Sequence, residues 1–135
     1  MDTIDQLQAN NDQMRDAATQ ACDAARNFAR AANGNNGHII PAPTAYDLLG
    51  NLKVLLSDLK EITEHMPRGL AASLNDPRID VYDRNDFTGA EREPAEQVAL
   101  ATEELRALTA ALAAASIHAE AAQSALNSQG YNEAP

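Results

Sequence analysis

The chain has 135 residues, a formal net charge of −10, and 44% hydrophobic residues. Twenty-eight of its residues are alanine, only 4% are aromatic, and tryptophan is absent. That length fits one domain. The composition excludes a thick aromatic core and disfavours strands, which draw on β-branched and aromatic residues. Alanine has the best helix propensity, so the expected class is all-α.

The first predicted helix runs from about 3 to 32. Ile4, Leu7, Asn11, Met14, Ala18, Ala21, Ala25, Phe28 and Ala32 recur at steps of three and four. That is a heptad seam. Asn33-Gly34 is the expected stop, since both tolerate a left-handed backbone. Residues 33–43 are Gly-, Asn- and Pro-rich and read as a loop. Pro41 and Pro43 are expected to exclude helix there.

The second helix is predicted over 44–66, with Thr44 as N-cap and Asp47 completing an approximate capping box. Ala45, Leu48, Leu52, Leu55, Leu59, Ile62 and Met66 form its stripe, widened by Leu49 and Leu56. Pro67 is expected to end or kink it. Leu70 and Leu74 suggest a short helical turn near 68–74. Residues 75–93 read as an irregular acidic loop, long for a compact domain. The third helix is predicted over 94–129, with Pro94 in its first turn. Val98, Ala101, Leu105, Leu108, Leu112, Ala115, Ala119, Ala122 and Leu126 repeat the three-four spacing. Gly130 is the expected stop, and 131–135 a frayed tail.

These elements predict a single domain, an antiparallel bundle of three long helices. The second would span roughly 34 Å, against roughly 45 and 50 Å for the others, at 1.5 Å per residue. The first and third then overhang, and a homodimer would cover their seams. Asn11 has two readings: a wet turn at an overhanging end, or a register-setting polar residue in a coiled coil. The interface expected on this reasoning comprises Ile4, Leu7, Asn11 and Met14, with Val98 and Leu105.

Twenty acidic residues against ten scattered basic ones disfavour nucleic acid and anionic membranes. No apolar run is long enough for a membrane span. The acidic segment Met1-Asp2-Thr3-Ile4-Asp5 does not read as a signal peptide, so a cytoplasmic protein is expected. Cys22 is the single cysteine and reads as a small, half-buried apolar residue. No metal is expected: Glu61 precedes His65 by four residues rather than three, and His38 and His118 stand apart. The run from Asp83 lacks the ligand at its fifth place and the glycine at its sixth that a calcium loop needs. No nucleophile elbow, Cys–His signature or phosphate loop is present. The expectation is a non-enzymatic interaction or assembly protein without a cofactor, whose partner is a protein, itself above all.

Three stretches carry a resemblance: Thr44-Ala-Tyr-Asp-Leu-Leu-Gly-Asn-Leu-Lys-Val-Leu, Asp80-Val-Tyr-Asp, and Ala122-Gln-Ser-Ala-Leu-Asn-Ser-Gln-Gly-Tyr131. Over about 41–131 the chain resembles small uncharacterised helical proteins of actinobacteria, some near mobile-element genes. The resemblance implies no activity. In size, acidity and helical content the chain is also similar to the helical-hairpin substrates of type VII secretion. It lacks their Trp-x-Gly turn, and Pro135 stands where their tail signal has an acid. Export as such an effector, or capture of a basic protein by an acidic antagonist, are the alternatives.

Overall fold

The structure, a computed structural model, describes residues 3–34, 39–80 and 93–130. It is all-α, with three long helices and no strand among the described residues: α1 (Ile4–Gly34), α2 (Ala42–Leu74) and α3 (Pro94–Ala125). The chain divides into two compact units, Met1–Pro41 and Ala42–Pro135.

In the first unit, Thr3 caps α1. Its Oγ1 accepts from the Gln6 amide at 3.2 Å, and its carbonyl accepts from the Leu7 amide at 3.0 Å. The first bond satisfies one of the donors that every helix start leaves free, and the second is the first backbone bond of the helix. No residue of α1 is buried. Leu7, Asn11, Phe28 and Ala32 are half-buried, and all four are seam positions. Cys22 is exposed, not half-buried as expected.

In the second unit, α2 departs from expectation at both ends. It begins at Ala42, so Thr44 is inside the helix rather than at its N-cap. Pro43 is its second residue, where the missing N–H would have had no partner anyway. Pro67 does not end the helix, which continues to Leu74. Leu70, Ser73 and Leu74 are half-buried beyond it. Burial of a leucine contributes about 1.5–3 kcal/mol when complete, so two of them help offset the roughly 3 kcal/mol cost of an interior proline. The separate turn expected near 68–74 is therefore part of α2. At 33 residues α2 is the longest helix, against 31 and 32 for α1 and α3. The length mismatch that suggested overhanging ends is absent.

After α2, Asn75-Asp76-Pro77-Arg78 forms a turn, with the Ile79 amide donating to the Asp76 carbonyl at 3.1 Å. Of the expected 75–93 loop, 81–92 lie outside the described residues, as do 35–38 and the expected tail 131–135. The run from Asp83, read as falling short of a calcium loop, and His38 fall there. Helix α3 starts at Pro94 as expected, with Glu93 extended before it. It ends at Ala125, four residues before the expected boundary. Ser128, not Gly130, takes the left-handed backbone, at φ 77°.

Helices α2 and α3 pack antiparallel, pairing the start of one with the end of the other. Thr63 meets Thr109, and Lys53 meets Gln123 and Glu120. Seven-residue steps from Thr63 reach Leu49, Leu56 and Leu70. Such steps from Thr109 reach Thr102, Ser116 and Gln123. All of these are at least half-buried. On α3 the inner line is thus polar at every seventh place. The apolar stripes border this line and are covered unevenly: Leu48, Leu52, Leu55, Val98, Leu105, Leu112 and Leu126 are half-buried and Ala119 is buried. Leu59, Ile62, Met66 and Leu108 are 39%, 54%, 45% and 47% exposed.

Candidate functional site

The second unit has two features of interest: a polar ladder between the helices, and a flank beside it on which Leu59, Ile62, Met66 and Leu108 are exposed.

At the centre of the ladder, the Thr63 and Thr109 hydroxyls lie 2.8 Å apart. Each also lies 2.9 Å from a carbonyl of its own helix, Lys60 and Leu105 respectively. Two protons serve three contacts, so one hydroxyl donates across and the other donates back along its helix. A threonine is tolerated here because its own helix offers an acceptor.

Gln123 forms the second rung. Its Nε2 donates to the Tyr46 carbonyl at 3.2 Å, and its Oε1 accepts from Lys53 Nζ at 3.4 Å. It lies over Gly50, where a Cβ would come within 2.8 Å of Nε2. Lys53 also approaches Glu120 at 4.0 Å, an exposed pair that contributes little.

Between these rungs, Ser116 Oγ is buried without a hydrogen-bond partner. An orphaned buried hydroxyl costs about 1–3 kcal/mol, and alanine is the better helix former. Ser116→Ala is expected to raise stability by about 1 kcal/mol. A thermal melt followed by circular dichroism checks it; a lowered midpoint would contradict this account of the ladder.

In the turn after α2, the titration of Asp76 departs clearly from the ordinary. Its Oδ1 accepts from Arg78 Nε and from the Arg78 amide, each at 2.9 Å, and its Oδ2 accepts from Nη2 at 2.6 Å. The Arg78 side chain first, and its amide second, hold the carboxyl down to about 2. A pKa lower in the folded than in the unfolded chain stabilises the fold above the ordinary carboxylate range. That contribution is lost as pH falls from about 4 to about 2. The Asp76 carboxyl resonance is expected to titrate near pH 2 and to return towards the ordinary range in Arg78→Ala.

The apolar face is fixed by the register. At 3.5 residues per turn, the stripe Leu48, Leu52, Leu55, Leu59, Ile62 and Met66 flanks the inner line of α2. Because α3 runs the other way, its stripe from Val98 to Leu126 falls on the same side of the pair. Lys53, Lys60, Arg106 and Glu120 fall on the opposite side, where the Lys53–Glu120 pair forms. The apolar side carries no charged residue on either stripe.

Of the expected interface residues, Ile4, Leu7, Asn11 and Met14 lie on α1 and Val98 and Leu105 on α3. Ile4 and Met14 are 50% and 64% exposed. Leu7 and Asn11 are half-buried, as are Val98 and Leu105. Leu59, Ile62, Met66 and Leu108, which lie on the predicted stripes, are exposed, and the sequence reading did not single them out. The polar residues at sevenfold spacing on α3 were the available signal. Among the described residues, no three His, Cys, Asp or Glu side chains are grouped to hold a metal. No helix is long and apolar enough to cross a membrane, among the residues described. No family model, no curated protein and no solved structure matches the chain.

Proposed function

We propose that this chain is a non-enzymatic helical interaction module that works by self-association. One observation carries the reading: large apolar side chains on regular helices lack cover. Ala119 is the one buried hydrophobic residue among those described. An apolar patch wider than a few hundred Å² on a soluble surface marks an interaction site. Heptad stripes suit a helical partner, because they present side chains in rows that interdigitate with a second helix. The α1 seam, with Ile4, Leu7, Asn11 and Met14, offers one such row, and the α3 stripe through Val98 and Leu105 offers another. Sedimentation equilibrium of the full chain at about 100 μM tests the reading. A dimer is the expected mass, and a strict monomer would defeat it.

The charge of −10 favours a second reading, in which an acidic surface engages a basic protein. Recovery of one basic partner, weakened by added salt, would support that reading. Signal-peptide-independent export as a helical-hairpin effector is a further possibility, favoured by the antiparallel α2–α3 pair. A secretion ATPase encoded beside this chain would support it.

A further inference from the structure

The turn after α2 contains the Asp76–Pro77 peptide bond, and the groups around it are those that can break such a bond from within. An aspartate carboxyl can act as a nucleophile. It reaches its own main-chain carbonyl by closing a five-membered ring. Proline makes the leaving group the nitrogen of a tertiary amide, which takes a proton more readily than an ordinary peptide nitrogen.

In this chain the carboxyl is folded onto that bond. Its Oδ1 accepts from the Arg78 amide at 2.9 Å, closing a ring that includes the Asp76–Pro77 peptide. The carbonyl it would attack accepts from the Ile79 amide at 3.1 Å. That donor is placed to hold the negative oxygen that attack creates.

The proton is what is withheld. Departure of Pro77 needs one on its nitrogen, and the side chain of Asp76 can supply it only when protonated. Arg78 grips both carboxylate oxygens, with Nε on Oδ1 at 2.9 Å and Nη2 on Oδ2 at 2.6 Å. A guanidinium fork of this kind favours the ionised carboxylate and occupies the oxygens that would attack. Among the described residues, Arg78 is the charged group that acts on Asp76. At about pH 4 an ordinary aspartate is close to half protonated, whereas one held at about 2 is only about 1% protonated.

We propose that Asp76–Pro77 is a self-cleavage site that Arg78 holds in check. When the fork lets go, one Asp76 carboxyl oxygen bonds to the Asp76 carbonyl carbon. The carbon–nitrogen bond to Pro77 breaks, and the carboxyl proton moves to the Pro77 nitrogen, which leaves as a secondary amine. Water then opens the cyclic anhydride and leaves two carboxyl groups on Asp76. The products are 1–76, which carries α2, and 77–135, which carries α3. A partner carboxylate or phosphate that draws Arg78 away would release the check. All the groups involved lie within 76–79, so the site does not depend on self-association.

The test warms the full-length wild type and Arg78→Ala at about pH 4, in the ordinary carboxylate range. Intact mass spectrometry follows fragments 1–76 and 77–135, and far-UV circular dichroism reports the helices in the same samples. Arg78→Ala is expected to cleave at least about 10-fold faster than the wild type, from the difference in protonated carboxyl. Asp76→Ala is expected to give neither fragment. In guanidinium, where no fork forms, the wild type and Arg78→Ala are expected to cleave at one rate. If Arg78→Ala loses its helices, the wild type alone still decides: it is expected to cleave at least about 10-fold more slowly folded than in guanidinium at the same pH. Equal rates for the two folded chains, fragments that persist in Asp76→Ala, or a folded wild type that cleaves as fast as the unfolded one would each overturn the proposal.

Discussion

Pro67→Ala is expected to raise the melting temperature by about 10 °C. Pro67 lies inside α2 and has no amide hydrogen, so the Thr63 carbonyl lacks its ordinary donor four residues on. An interior proline costs about 3 kcal/mol relative to alanine. The ring is half-buried beside a cleft lined by Thr63, Glu64, Arg106 and Thr109. Losing its methylenes costs about 1 kcal/mol, which leaves a net gain of about 2 kcal/mol. In a unit of this size each kcal/mol moves the midpoint by about 4–8 °C. A thermal melt by circular dichroism is the check. An unchanged or lowered midpoint would mean that Pro67 holds a bend on which the α2–α3 contact depends.

Leu7→Asp is expected to abolish dimerisation at about 10 μM and leave helix content almost unchanged. Leu7 is half-buried on the α1 seam, between exposed Ile4 and Met14. No residue of α1 is buried, so its helix has little internal packing to lose. A charge in an apolar interface must be desolvated without a partner, at a cost of several kcal/mol. Each 1.4 kcal/mol is tenfold in affinity, so the loss exceeds 100-fold. Sedimentation velocity and far-UV circular dichroism on the same samples separate the two effects. Retained dimer mass would remove Ile4, Leu7, Asn11 and Met14 from the interface. Loss of helix together with mass would instead make Leu7 a folding residue.

The apolar stripes were legible in the sequence because leucines at steps of three and four admit one helical reading. Val98 through Leu126 is one continuous stripe in the structure, as its spacing implies. Which flank of it meets α2 was not legible. Periodicity locates a stripe on a helix but not the azimuth at which a neighbour docks. Here the neighbour sits on the side of Thr102, Thr109, Ser116 and Gln123, because short or hydrogen-bonded side chains let the two helices approach. Thr109 can be there since its hydroxyl lies within hydrogen-bond distance of both the Leu105 carbonyl and the Thr63 hydroxyl, which can itself donate to it.

The boundaries were misread for local reasons. Pro43 falls among the first helical residues, where an amide hydrogen is dispensable, so the rule against proline does not apply. Pro67 does break a backbone bond, but burial of Leu70 and Leu74 carries the helix past it. Gly130 was the residue best suited to a left-handed stop, yet Ser128 adopts that conformation. The expected interface rested on α2 being short. With α2 the longest helix, the case for self-association rests instead on exposed apolar side chains such as Ile4, Met14, Leu59, Ile62, Met66 and Leu108.

Sedimentation equilibrium on the full chain at about 100 μM tests the central claim most directly. The account predicts a species of twice the 14.4 kDa chain mass. A single species at the chain mass would contradict it.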